Sequence, residues 1–322
     1  MSAPAAPPLG VVIVSFNTAA LLDACLRSVR DALAGLGWLE AADVVVVDNA
    51  SADDSVAFVQ RHHGWVRLIE RPRNEGFTAA NNVVLRPWAD GSVATPRAVL
   101  LLNPDAALTP GALPTMLDAL RDDATAAVVG PLLRYPDGRF QHAAFRYPGL
   151  LQTALDLWPI PRLMDTPLNG RYPRRRYERG QPFPVDAVLG ACMLVRGDAL
   201  RTVGPLDDGY VMYSEELDWC RRFRSAGWRV LCAPQAVVLH HGGASSGQFR
   251  ATSFIHLWRS RLRYFDKHLW RPHAALVRMV ARTGFRWQDA ADRRAVRSGA
   301  MSLATSTERR AARAAVFAVD AP

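Results

Sequence analysis

What most limits the fold of this chain is an alternation repeated through its first 130 residues. Short β-branched apolar runs are each followed by a segment whose apolar residues recur every three or four positions. Gly10–Phe16 (GVVIVSF) is too short for a helix and is bounded by turn residues, so it reads as a buried strand. Thr18 then caps a helix carrying Leu21, Leu22, Cys25, Leu26, Val29 and Leu33 along one side. The pattern continues with a strand over Asp43–Val47, a helix opened by Asp53 and reaching about His62, a strand over Val66–Ile69 and a helix over Phe77–Leu85. Ala98–Leu102 is a fourth strand, and the helix after it has Pro110 in its first turn and Leu113, Met116, Leu117 and Leu120 on one face. Strands separated by helices of this length need right-handed crossovers. The expected class is therefore α/β, with a mostly parallel sheet flanked by helices and ligands at the C-terminal ends of the strands.

Beyond Val129 the pattern loosens. Tyr135–Gly138 (YPDG) predicts a hairpin turn, and the proline-rich stretch 158–184, with Arg174, Arg175 and Arg176, predicts a long irregular loop. Order resumes with Asp186–Val195, a helix from Ser214 to about Ala226, and short strands near Trp228–Leu231 and Ala236–His240. Further helices are expected over Ser253–His268 and Ala274–Arg282. The reading divides the chain into a tail over 1–9, a main domain over 10–249 with halves 10–130 and 131–249, basic amphipathic helices over 250–288 and a flexible tail over 289–322.

Charge and cysteine content exclude several classes. The net charge of +9 suggests a nucleic-acid partner until it is located: from Arg250 onward there are fourteen Arg and one Lys against five acids, so the rest of the chain is close to neutral. No recognition-helix or zinc-finger pattern accompanies that basic quarter, and no nucleic-acid partner is expected. The four cysteines (Cys25, Cys192, Cys220, Cys232) lie far apart with no CxxC pair, which predicts reduced thiols rather than disulfides or a zinc site. No run of about 18 uncharged apolar residues exists, and Leu9–Val14 has no basic flank, so neither a spanning helix nor a signal peptide is expected and the chain is placed in the cytoplasm.

Polar residues gather at the strand ends. Ser15-Phe16-Asn17, Asp48-Asn49-Ala50-Ser51 and Asn103-Pro104-Asp105 follow three strands whose ends share one edge of a parallel sheet. An Asp there can accept from the imide NH of a pyrimidine ring, and Asp105 at the rim can hold a divalent cation bridging two phosphates. The same residues can be ordinary turns and helix caps, and spacing alone does not choose between the two. No GxGxxG or GxxxxGK element is present, which disfavours a Rossmann dehydrogenase and a P-loop. His240, followed by His241 and a Gly pair, is a second cation-ligand candidate. Glu215, Glu216 and Asp218 open a helix with three acids in four residues, more than a helix N-terminus requires, and one of them can act as a general base.

Taken in order, SFN, DNASADD, NEGFTAANN, LLNPDA, GACMLVRGDAL, VGPLDDGYVMYSEELDWCRRFRSAGW and HHGGAS resemble the inverting family 2 glycosyltransferases, particularly their bacterial rhamnosyltransferase-like branch. The resemblance spans roughly residues 10–268. It implies a GT-A fold, a nucleotide-sugar donor bound by the half 10–130, an acceptor bound by the half 131–249, and a divalent cation, Mg2+ or Mn2+. By position, Ser15, Asn17, Asp48, Asn49, Asn74 and Gly76 would bind the nucleotide-sugar, Asn82 would lie near its diphosphate, and Asn103 with Asp105 would form a DxD-like element. His240 would be a further metal ligand, Glu216 the base, and Glu215, Asp218 and Trp219 would face the acceptor. Two departures stand out: Asn103 replaces one carboxylate of the metal element, and Glu216 is one methylene longer than the usual Asp.

The implied reaction is transfer of a sugar, best matched by rhamnose from dTDP-rhamnose, to a glycan or polyprenyl-diphosphate-linked acceptor in cell-envelope polysaccharide synthesis. UDP-galactofuranose and UDP-N-acetylglucosamine remain alternative donors, and a non-catalytic membrane-surface scaffold is the rival reading. Phe254, Leu257, Trp258, Leu262 and Phe265, interleaved with Arg259, Arg261, Arg263 and Lys267, and followed by Leu269, Trp270, Val277, Met279 and Val280, predict a peripheral anchor on the anionic inner face of the plasma membrane. The competing reading packs these apolar residues onto the catalytic domain.

Overall fold

The computed structural model describes residues 6–242 and 250–318. Its first strand, β1 (Leu9–Ser15), is buried along its whole length, as a continuous apolar run should be when helices cover both faces of a sheet. Gly10 is required there: a Cβ would lie 2.5 Å from the ring of Trp88. Helix α1 (Ala19–Gly35) buries Leu22, Cys25, Leu26, Val29 and Leu33, the expected stripe. Thr18 makes no side-chain cap; Asp53 instead accepts from Ala19 N at 3.1 Å across the edge of the sheet. There follow β2 (Asp43–Asp48), α2 (Ser55–His62), β3 (Arg67–Glu70), α3 (Phe77–Asp90), β4 (Ala98–Leu102), β5 (Ala106–Leu108), α4 (Ala112–Asp122) and β6 (Ala126–Arg134). Helix α3 runs past the expected Leu85, through Pro87, to a left-handed Gly91. Pro110 lies outside α4, whose N-cap is Gly111.

The second half adds β7 (Phe140–Gln141), β8 (Ala144–Phe145), α5 (Leu150–Leu157), α6 (Pro161–Met164), a 3-10 turn over Pro167–Asn169, α7 (Arg174–Glu178), β9 (Phe183–Pro184), β10 (Ala187–Val188) and β11 (Cys192–Arg196). After α8 (Gly197–Val203) and α9 (Glu215–Ser225) comes β12 (Arg229–His240), one long strand with an irregularity between Ala233 and Val237 where two short strands were expected. The YPDG turn closes a β6–β7 hairpin, with Gly138 N donating to Tyr135 O. The expected loop over 158–184 is broken by short helical turns rather than structureless.

The main sheet has the order β3-β2-β1-β4-β11-β6-β12-β5 among the described residues. Strands β3, β2, β1 and β4 are parallel, β11 is antiparallel to both β4 and β6, and β12 is parallel to β6. Both inversions cancel, so the C-terminal ends of β1, β2, β4 and β12 and the N-terminal end of β11 share one edge.

The chain forms two compact units. The first holds the sheet and comprises residues up to Arg146, Tyr172–Val211 and Glu215 onward through β12. The second comprises Tyr147–Arg171, Met212–Ser214 and the C-terminal helices α10 (Arg250–His268), α11 (Arg271–Arg297) and α12 (Leu303–Phe317). This differs from the expected boundary at 249, because α5 packs with α11: a Cβ on Gly284 would meet Leu157 at 2.7 Å. Of the tail expected to be flexible over 289–322, residues up to Arg297 continue α11 and Leu303–Phe317 form α12, while 319–322 lie outside the described residues. Arg313 pairs with Asp289 at 2.5 Å and with Asp292 at 2.6 Å, and Val316 enters a small core with Leu157, Trp258, Leu262, Ala281 and Phe285. Ionic residues at long sequence separation fix this segment, so apolar periodicity could not reveal it. All four cysteines are buried free thiols. Burial pushes the Cys220 thiol up to about 12, so it stays protonated.

Candidate functional site

The loops after β1 and β2 are built as one surface. Asn17, with φ +52°, accepts from Ala52 N at 2.7 Å through its side chain, and its backbone N donates to Ser51 Oγ at 3.0 Å. Ser15 is fully buried and bonds Thr18 Oγ1 at 3.0 Å, so it shapes the turn rather than facing a ligand. Asp48 ends β2. Its Oδ2 accepts from Ser51 N at 2.9 Å, while Oδ1 is buried and has no hydrogen-bond partner.

Asn49 holds the next loop: its Nδ2 donates to Asn74 Oδ1 at 2.8 Å and to Gly76 O at 3.2 Å, and its Oδ1 accepts from Glu75 N. Asn74 Oδ1 also accepts from Gly76 N. Gly76 has φ +89°, and a Cβ there would lie 2.4 Å from Val211 O, so only glycine fits. Asn49, Asn74 and Gly76 thus place the loop, and Asp48 retains the open acceptor. Two neighbours were absent from the sequence reading. Arg71 donates its backbone N to Asp48 O, pairs with Glu75, and keeps a buried Nε with no partner; Thr78 Oγ1 is likewise buried and unbonded. The RPRNEG run, with two arginines beside Asn74, was the available signal.

Asn82, expected near the diphosphate, has its side chain taken up by protein partners. Its two amide hydrogens go to Leu206 O at 2.9 Å and Asp208 Oδ1 at 2.7 Å, and its Oδ1 accepts from Leu206 N. A side chain so engaged clamps the 206–208 loop to α3.

At the end of β4, Asn103 N donates to Ala191 O at 2.9 Å, tying this rim to the loop before β11. Asp105 and His240 are brought together by the antiparallel β5–β12 pairing, with His241 N bonded to Asp105 O and His240 Nε2 lying 3.4 Å from Asp105 Oδ1. Both side chains are buried. His240 Nδ1 is 3.0 Å from Gln141 Oε1. One ring nitrogen thus meets Gln141 and the other the Asp105 carboxylate, so an imidazole N and a carboxylate O, both of them cation ligands, lie side by side. No group of three or more His, Cys, Asp or Glu side chains among the described residues forms a closed metal site. Two protein ligands with the remainder from phosphate and water fit Mg2+ or Mn2+ at a diphosphate. Residues 243–245 of the HHGGAS motif lie outside the described residues.

Helix α9 begins after two consecutive left-handed residues, Tyr213 (φ +71°) and Ser214 (φ +64°). Glu216 is half-buried and packs over Gly190, whose added Cβ would lie 3.6 Å from its own. Through Gly190-Ala191 it stands beside the Asn103 rim. Glu215 is buried with an unbonded Oε2, and burial, followed by the charge of Glu216, holds its carboxyl well above the usual range. Like charges this close, in so buried a place, oppose joint ionisation.

The expectation that Asp218 and Trp219 face the acceptor is corrected. Both are completely buried. Asp218 Oδ2 accepts from Arg222 Nε at 2.8 Å, Arg222 also bonds Val203 O and Pro205 O, and Trp219 Nε1 donates to Gly204 O at 2.9 Å. The helix period turns these two residues inward, where they hold the loop between α8 and α9.

The chain is similar in sequence and fold to known proteins. The sequence model of Glycosyl transferase family 2 matches residues 10–204. An N-acetylglucosaminyl-diphospho-decaprenol L-rhamnosyltransferase of Mycobacterium tuberculosis is 32% identical over 251 residues, 74% of this chain and 78% of the relative. Among solved structures, the mannosyltransferase PcManGT from Pyrobaculum calidifontis, in complex with GDP-Man and Mn2+, aligns with a TM-score of 0.56 at 15% identity, covering 97% of this chain and 86% of the other. GalNAc-T7 with UDP, GalNAc and Mn2+ aligns at 0.54 and 16% identity, over 73% of this chain and 43% of that one. The two structures share the GT-A fold with this chain, and the family-model match together with the rhamnosyltransferase relative shows that it belongs to glycosyl transferase family 2.

Proposed function

We propose that the protein transfers a sugar from a nucleotide-sugar to a lipid-linked glycan acceptor with inversion at the anomeric carbon, and that the donor is dTDP-rhamnose. The observation that carries this reading is the convergence on one sheet edge of an unmet Asp48 acceptor, the Asp105–His240 pair and Glu216 beside the Asn103 rim. Asp48 Oδ1 suits the imide NH of a thymine or uracil ring. Asp105 and His240 would hold a divalent cation, which supplies positive charge to the donor diphosphate when bound. Glu216 accepts the proton of the acceptor hydroxyl as that oxygen bonds to the anomeric carbon; the sugar–phosphate bond breaks and its electron pair leaves on the nucleoside diphosphate. Glu215, its carboxyl raised by burial and then by the charge of Glu216, lies beside that base.

The acceptor class follows the rhamnosyltransferase relative: a polyprenyl-diphosphate-linked N-acetylglucosamine at the inner face of the plasma membrane. No helix among the described residues is long and apolar enough to cross a membrane, so contact with that surface is peripheral in this reading. The test incubates the full chain with this acceptor and a panel of dTDP- and UDP-sugars, followed by product mass and anomeric configuration. Transfer of rhamnose with inverted configuration is expected. Transfer only from a UDP-sugar would move the assignment to that donor, and no transfer from any donor would favour a non-catalytic scaffold.

A further inference from the structure

The apolar stripe of α10, expected to reach a membrane, is not available to one. Trp258, Leu262 and Phe265 are buried, and the first two share a core with Leu157, Ala281, Phe285 and Val316. Helix α11 is different. It buries Ala274, Val277, Ala281, Gly284 and Phe285 on one side, and the opposite side, stepping by three and four through Leu276, Met279, Arg286, Arg293 and Arg297, faces out. Trp270 at its N-cap is 75% exposed, Met279 58% and Trp287 48%. Arg282 and Arg294 flank the same face. The only acids of α11, Asp289 and Asp292, lie toward the other side and pair with Arg313.

We infer that this outward face of α11 is the surface by which the protein docks on an anionic phospholipid bilayer, an inference that refines the peripheral placement proposed above. A helix lying in a membrane interface combines basic side chains for the headgroups with Trp and aliphatic side chains for the acyl boundary, and this face has both. Over the 22 residues from Leu276 to Arg297 it extends about 32 Å, enough to meet several headgroups at once. Arg286, Arg293 and Arg297 form no ion pair among the described residues, so their charge is available to lipid phosphate. A second copy of the chain is a poor occupant, since two-fold pairing would set arginines against arginines with no acid between them. A nucleic acid would use the arginines but leave Trp270, Leu276, Met279 and Trp287 without purpose.

The test is co-sedimentation of the full chain with vesicles of phosphatidylcholine alone and of phosphatidylcholine with phosphatidylglycerol, at low and high salt. Binding to the mixed vesicles, weakened by salt, and little to the neutral ones is expected. The Arg286→Glu/Arg293→Glu/Arg297→Glu variant should bind at least about 100-fold more weakly, taking roughly fivefold per basic side chain at the surface. The same reversal at Arg27 and Arg121, exposed in the sheet unit, should leave binding unchanged. Trp270→Ser/Met279→Ser/Trp287→Ser should lose the tryptophan quenching that brominated acyl chains produce in the unaltered protein. Circular dichroism verifies folding of each variant, and an Arg→Gln series at the three α11 positions replaces any that misfolds. Absence of binding to mixed vesicles, equal loss in the Arg27/Arg121 variant, or double-stranded DNA bound as tightly as the vesicles would overturn the inference. The assay holds no donor or acceptor, so its outcome and that of the transfer assay are read separately.

Discussion

The sheet edge and the packing behind α9 each contain buried polar side chains, yet they differ in how those groups are satisfied. Behind α9, Asp218, Trp219 and Asn82 form closed sets of hydrogen bonds to Arg222 and to the 203–208 loop. At the edge, Asp48 Oδ1 meets nothing, and the Asp105 carboxylate lies against the ring of His240. A buried acceptor left unmet costs about 1–3 kcal/mol, a cost that a bound donor would recover. Under the proposed function, the contrast separates residues assigned to the substrate from residues that hold the scaffold, although both groups are acids and amides in similar sequence settings.

Substitutions can break this contrast, and the largest effect is expected at Glu216. Glu216→Gln should lower kcat by about 10³-fold while donor affinity, read by calorimetry, stays near that of the unaltered protein, because the amide keeps the shape and cannot take the proton. Normal transfer by this variant would move the base elsewhere. For Asp105→Ala we expect a fall in activity on the order of 10²-fold with the melting temperature nearly unchanged, and full activity in the presence of a chelator would argue against a cation at Asp105 and His240.

Asp48→Ala and Asn82→Ala form the sharpest pair. The first should raise the donor KM about tenfold with kcat preserved, as for a lost recognition bond. The second should cost about 1–3 kcal/mol of stability in denaturant unfolding, with kinetic constants intact for the folded fraction. If Asn82→Ala instead altered donor KM, its assignment as a clamp would be wrong.

The smallest effect concerns Glu215. Its carboxyl is raised by burial and then by Glu216, so the folded protein binds that proton more tightly than the unfolded chain. The resulting stability is fully present below the ordinary value of 4.5 and is lost as pH rises toward the folded-state value. Glu215→Gln, which keeps the neutral shape, should therefore gain stability over the unaltered protein at about pH 8 relative to about pH 5. A pH-independent difference in thermal unfolding would show that Glu215 ionises freely.

Local pattern carried much of this protein. Gly10–Phe16, Asp43–Val47 and Ala98–Leu102 announce buried strands because a sheet covered on both faces needs continuous apolar runs, and the polar residues that end them then fall on one edge by geometry alone. Asp48 and Asp105 stood out as candidates for that reason, His240 as the polar end of another apolar strand, and Glu216 from three acids crowded into one helical turn. The inward turn of Trp219, the engagement of Asn82 with a loop 124 residues away and the unmet Nε of Arg71 did not, since each depends on which distant backbone closes on the side chain.

The same division runs through the C-terminal quarter. By itself the sequence determined that this quarter is basic and amphipathic, because charge count and helical period are properties of the chain alone. Only tertiary structure decided which apolar face is core and which is surface. α10 turned its aromatic residues into a core shared with α5, α11 and α12, while α11, with one face already buried, was left to present Trp270, Met279 and Trp287 among its arginines. Periodicity reports that a helix has an apolar side, but what covers that side is settled by partners far away in sequence.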